Sequence, residues 1–219
     1  LRRSSAASDV YKRQVLGICF LIYDKINHEE LWNNWLQDVD SNKYRIYIHY
    51  KNNVKLQYFE KYKLDNCIET TYGGYTISLA QNIMMKEGIN ECSHFIFISG
   101  SCIPLKSFDY VYNYLIVNRS YFNKSPDRQC FPRCNNVLNY IDKEYIKKAN
   151  TNSIICNSHA KEIIKNEHFA NEYFKTIKSA DEHIHISILY YLKLTDELIL
   201  TPNTCYSGAT TFTAWEDMI

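Results

Sequence analysis

Residues 15–23, VLGICFLIY, are apolar without a break. A strand with one wet face alternates apolar and polar side chains. A continuous run of this length instead marks a strand covered on both faces, as in a parallel sheet layered by helices. It is far too short for a membrane span, which needs ~20 apolar residues, and no other stretch of the chain reaches that length.

The next segments support the same architecture. Asn27 with Glu30 three positions on has the form of a capping box. Leu31, Trp32, Trp35, Leu36 and Val39 then recur at helical spacing. Residues 44–50 (YRIYIHY) alternate and predict a second strand. Strand, helix, strand is the opening of a doubly wound α/β unit. Residues 56–62 predict a short helix and 67–70 a short strand. Gly73-Gly74 signals a turn, and a helix is expected over 77–87, closed by Gly88. Residues 94–99 (HFIFIS) are the clearest strand, ending in a loop that Pro104 keeps from continuing it. Further helices are expected over 108–116, 158–166 and 180–194, and strands over 154–156, 198–200 and 210–215. Residues 118–136, with Pro126 and Pro132, read as loop. No repeat and no linker divides the chain.

Composition enters as an exclusion. Of 219 residues 46% are hydrophobic, and 25 basic against 24 acidic side chains leave a net charge of +1. Such a balance lacks the basic stripe of a nucleic-acid binder, so no nucleic-acid partner is expected. None of the eight cysteines forms a C-x-x-C pair. Cys130 and Cys134 have no partner pair at zinc spacing, so a structural zinc is not expected and buried free thiols are the simpler assignment. The first fourteen residues, LRRSSAASDVYKRQ, are small, polar and basic, unlike the apolar run that succeeds them. They read as a leader or cloning scar outside the domain.

In an open α/β sheet, ligands bind beyond the carboxyl ends of the strands. That rule selects Tyr23-Asp24-Lys25, His49-Tyr50-Lys51 and Ser99-Gly100-Ser101-Cys102. No dinucleotide fingerprint and no P-loop is present. Asp38-Val39-Asp40 is a D-x-D triplet, but it precedes a strand, on the edge opposite to ligand. The position after HFIFIS carries no carboxylate. No metal is therefore expected, and Lys or Arg must stabilise a departing diphosphate. Ser179-Ala180-Asp181-Glu182-His183 opens a helix. Glu182 there is placed either to take a proton from an acceptor hydroxyl or, with Ser179, to act as a capping box.

Four segments, in order, carry a resemblance. They are Thr71-Tyr72-Gly73-Gly74-Tyr75-Thr76, then residues 97–107 (FISGSCIPLKS), then residues 179–183 (SADEH), then residues 210–215 (TTFTAW). Together they resemble the core-2/I-branching N-acetylglucosaminyltransferase family, especially its plant-type and viral-type branches. The resemblance implies a GT-A-like (Rossmann-like) α/β domain over 15–219, with a mostly parallel mixed sheet flanked by helices and a cut at the C-terminus. It implies a UDP-sugar donor, a glycan or glycoprotein acceptor, and inversion with no cofactor and no metal. It makes Glu182 the catalytic base and sets Asp181, Arg133 and Trp215 at the acceptor. It sets Tyr23, His49 and Tyr72, with the Ser99, Ser101 and Cys102 loop, at the donor. A type II membrane protein of the Golgi lumen is implied, its anchor outside this sequence. The chain departs from the family at Lys51, where an Asp is common, and at 148–152, where an aromatic is common. The family's diphosphate-binding basic residues lie beyond residue 219. The competing function is a carbohydrate-binding or scaffold protein of the same fold that has lost catalysis.

Overall fold

The uninterrupted apolar run forms β1 (Leu16–Ile22), and a parallel neighbour lies on each side of it. These are β2 (Tyr44–Tyr50) and β3 (His94–Ser99), with Ile18 opposite Ile46 and Ile96 respectively. This is why β1 needs no polar face. A computed structural model describes residues 14–202. In it β4 (Ser120–Lys124), β5 (Ile154–Cys156) and β6 (Leu198–Pro202) complete a six-stranded sheet of order β2-β1-β3-β5-β4-β6. β5 runs antiparallel to both β3 and β4, and β6 parallel to β4. Five strands therefore point one way. Their carboxyl ends, with the amino end of β5, line a single edge.

Helices cover both faces. On one side α1 (Glu29–Leu36) and α3 (Phe108–Tyr114) bury Trp32, Leu36 and Phe108 against Ile18, Phe20 and Ile48. On the other lie α2 (Tyr75–Gly88), α4 (Asn157–Lys165), α5 (His168–Glu172) and α6 (Ile184–Tyr191), over Cys19, Tyr47, Phe95 and Phe97. All residues of α6 from Ile184 to Leu189 are buried, the condition of a helix sealed between a sheet and its neighbours.

Several expectations are corrected. Residues 120–124 form a strand, β4, where loop was expected. Residues 67–70 form none, and residues 56–62 yield only a 3-10 turn at Glu60–Tyr62. Neither capping box exists. α1 is entered through His28 without a side-chain cap bond, while Asn27 is drawn to the loop after β3. Ser179 makes no cap bond either. The 180–194 segment splits into a 3-10 turn, Ala180–Glu182, and α6. Gly88 is the last residue of α2 and does not sit in the left-handed region. A Cβ there would meet Phe95 and Tyr47 at 2.8 Å, so it allows α2 to approach the sheet. The strand expected over 210–215 lies outside the described residues.

Candidate active site

The loop after β3 is fixed before any ligand arrives. Indole Nε1 of Trp32 donates to Cys102 O at 2.9 Å, and that of Trp35 to Lys106 O at 2.7 Å, so α1 clamps the loop by two indole donors. Asn27 N–H donates to Gly100 O at 2.8 Å, tying it to the loop after β1. Inside the loop, Ser99 Oγ and Cys102 Sγ satisfy each other at 3.3 Å, and Ser101 stays exposed with Asn27 Nδ2 at 3.3 Å from its Oγ.

From Cys102 a chain of contacts crosses to the acidic pair. Asn152 Nδ2 lies 3.8 Å from Cys102 Sγ. Thr151, its neighbour, donates Oγ1–H to Asp181 Oδ2 at 2.7 Å. The next residue is Glu182, whose Oε2 lies 3.2 Å from Lys148 Nζ. Asp181 and Glu182 thus sit at the carboxyl edge of the sheet beside the 99–102 loop. Burial raises the Asp181 carboxyl, and the Glu182 charge adds to that, while the Thr151 bond opposes it. Asp181 Oδ1 is buried with no hydrogen-bond partner among the described residues.

The turn that presents this pair is bent in an unusual way. Ser179 is left-handed at φ 58°, a conformation that costs an L-residue with a Cβ roughly 1–2 kcal/mol. Its surroundings hold it there. Ala180 N–H donates to Gly73 O at 2.9 Å, and Arg133 Nη1 donates to Ser179 Oγ at 2.9 Å. Gly73, at φ 65°, packs its Cα side against Ser179, so the Gly73-Gly74 turn and the acidic turn shape one another. Ser179 therefore spends its hydroxyl on Arg133, and Glu182 is left free of a helix cap. His183, next in line, is buried, donates Nδ1–H to Lys147 O at 2.8 Å, and is lowered by burial to about 4.

The residues expected at the donor fall in two groups. Tyr72 is 97% exposed, next to Gly73 and so next to the acidic turn. Tyr23 is exposed at the end of β1, with Lys51 Nζ 5.8 Å from its ring centroid. His49 is fully buried instead of lining the surface. Its Nε2 accepts from Ile68 N–H at 2.9 Å, and burial lowers it to about 4. It supports a groove of about 380 Å³ lined by Tyr50, Lys51, Asn52, Asp65, Cys67 and Glu69. Among the described residues, no hydrogen bond or ion pair joins Tyr23 or His49 to the acidic pair. Arg133 reaches it through Ser179. Trp215 lies outside the described residues. Asp38 and Asp40 stand just before β2, at the opposite edge of the sheet. Lys148, Thr151 and Asn152 were not singled out from sequence, because nothing in the polar run KANTN shows which carboxylates it will face.

Comparison with known proteins bears on the family and the fold. A glycosyltransferase of rice (Oryza sativa subsp. japonica), BC10, is similar at 21% identity over 172 residues, covering 73% of this chain and 43% of that protein. The chain thus spans under half the length of that relative. The family model described as core-2/I-branching enzyme matches residues 18–218, so the six-stranded α/β sheet is of GT-A-like form and the chain belongs to the core-2/I-branching enzyme family.

Proposed function

We propose that this domain is the catalytic part of an inverting glycosyltransferase that moves a sugar, N-acetylglucosamine in the first instance, from a UDP-sugar to a glycan hydroxyl without a metal ion. One observation carries it. The Asp181–Glu182 pair stands on the carboxyl edge of the sheet, linked to the 99–102 loop through Thr151 and Asn152, with Glu182 released from capping. That edge is where open α/β sheets bind ligands.

In the reaction, Glu182 takes the proton of the acceptor hydroxyl. The acceptor oxygen forms a bond to the anomeric carbon, the carbon–oxygen bond to the diphosphate breaks, and its electron pair leaves with UDP. Attack opposite the leaving group inverts the centre. The groove beside β2 is suited to the nucleotide, and Arg133, Asp181 and Trp215 to the acceptor. Ser99-Gly100-Ser101-Cys102 offers no carboxylate for a cation, so basic side chains must stabilise the diphosphate. A Golgi-lumenal site, with an anchor outside residues 14–202, belongs to the same proposal. Among the described residues no helix is long and apolar enough to cross a membrane.

Glu182→Gln in the intact protein is the test, read as sugar transfer from UDP-N-acetylglucosamine. Loss of the base lowers turnover about 100- to 10,000-fold, and parent-like turnover overturns the assignment. The second reading, a carbohydrate-binding protein without catalysis, draws on Lys51, which faces Thr70 O at 2.9 Å where the family commonly has Asp. Glycan binding with no transfer in the intact parent selects it.

A further inference from the structure

Opposite the acidic turn runs a segment, 147–151, that the transfer mechanism leaves without a task. It is hydrogen-bonded to 181–187 along its length. Lys147 N–H donates to Ser187 Oγ at 3.0 Å, and Lys147 O accepts from His183 Nδ1. Ala149 N–H donates to Glu182 O at 2.8 Å, and Thr151 holds Asp181. The backbone under Glu182 is thereby fixed. Its side chain, with three rotatable bonds, is not fixed by backbone alone.

Lys148 supplies what is missing. Its Nζ lies 3.2 Å from Glu182 Oε2, with side-chain exposures of 18% and 32%, so the pair is only partly open to solvent. The contact engages Oε2, and Oε1 is the other oxygen of the carboxylate. The adjacent lysines are turned elsewhere: Lys124 and Lys147 both face Asp127, and Lys147 also lies over the Tyr190 ring.

We propose that Lys148 is the positioning residue of Glu182, gripping Oε2 so that Oε1 is the oxygen offered to the acceptor hydroxyl. This rests on Glu182 being the base. A base acts only within hydrogen-bond reach of its proton, so a carboxylate swinging between rotamers is a poor one. When Oε1 takes the proton Glu182 becomes neutral, and the Lys148 charge stays on the site while UDP departs with the electron pair of the broken bond. Lys148 itself forms and breaks no bond.

The test uses the intact protein with UDP-N-acetylglucosamine and compares Lys148→Met, Lys148→Arg, Glu182→Gln and the Lys148→Met/Glu182→Gln double variant. Lys148→Met is expected to lower kcat about 10- to 100-fold, the cost of misplacing a catalytic group, with KM for the UDP-sugar within about twofold. Lys148→Arg, which keeps the charge, recovers most of kcat. In the Glu182→Gln background, Lys148→Met costs nothing further, because no base is left to position. A purely structural pair predicts instead that losses multiply and that Arg and Met fail alike. If Lys148→Met folds poorly, Lys148→Arg and Lys148→Gln carry the same comparison. Parent-like kcat in Lys148→Met beside an inactive Glu182→Gln overturns the role of Lys148 alone. Parent-like kcat in Glu182→Gln overturns the base assignment, and the role of Lys148 with it.

Discussion

The Thr151 hydroxyl and the Asp181 carboxylate, thirty residues apart, are joined by a 2.7 Å hydrogen bond. It ties the amino end of β5 to the acidic turn. Asp181 is raised by burial first and by Glu182 second, and the Thr151 bond works against both. Thr151→Val keeps the shape and deletes the donor, so a buried carboxylate is left without its partner. The expected cost is about 1–3 kcal/mol of stability. Urea unfolding reads it as a lower midpoint at unchanged slope. Thr151→Ser should stay near the parent, and a Thr151→Val midpoint equal to the parent's counts against this bond as a support of the turn.

Much of this fold was legible because burial writes itself into residue patterns. β1, β2 and β3 are apolar or alternating runs, and the covered sheet follows from them. β4 was not legible for a definite reason. Its Ser120 and Asn123 are buried polar residues, and Ser120 Oγ lies 2.8 Å from His159 Nδ1, a partner supplied by α4. Periodicity counts such residues as loop. The 180–194 helix was overextended because the left-handed Ser179 is enforced by Gly73 and Arg133, both distant in sequence. The carboxylates of the site were legible by type. Their partners Lys148 and Thr151 were not, since only the fold decides which polar run they meet.

Gly100 sets the spacing between the loops after β1 and β3. It packs so closely that a Cβ would run into the carbonyl oxygen of Lys25, and Ile22 Cγ2 would stand 3.4 Å away. The carbonyl belongs to backbone and cannot swing aside. Gly100→Ala is therefore expected to separate the two loops and break the Asn27–Gly100 bond, at a cost of about 2 kcal/mol or more. Amide exchange at Asn27 should accelerate along with the loss in thermal stability. Unchanged protection at Asn27 would contradict the packing.

Four buried histidines make the fold acid-sensitive. His49, His94, His183 and His185 are each lowered to about 4, with burial as the leading cause. In the unfolded chain they titrate near 6.5, the ordinary imidazole value. Their folded values are depressed, so the contribution is fully present above 6.5 and is lost as pH falls toward 4. Each contributes a slope of about 1.4 kcal/mol per pH unit inside that window. Asp181, raised by burial, works in the opposite sense but is one group against four. Calorimetric melting should be level above pH 7 and fall between about 6.5 and 4. Melting that holds or rises from pH 7 to pH 5 would refute the assignment of neutral, buried rings.

His49 gives the sharpest separation between support and contact at the groove beside β2, which the proposed function gives to the nucleotide. Its Nε2 accepts from Ile68 N–H, so in the neutral ring the proton sits on Nδ1, an atom buried with no partner among the described residues. The ring thus holds the 65–69 wall of the groove from beneath. His49→Phe keeps the bulk but removes the acceptor, leaving the Ile68 amide unpaired. Amide exchange at Ile68 should accelerate, and UDP affinity, measured calorimetrically on the intact protein, should fall about tenfold, the equivalent of one lost hydrogen bond. Because the ring stays neutral down to about 4, parent UDP affinity should show no inflection attributable to it between about pH 5.5 and 8. An inflection near 6.5 that disappears in His49→Phe would mean the imidazole charges in the folded protein and meets the nucleotide directly, a different site from the one the Ile68 bond describes.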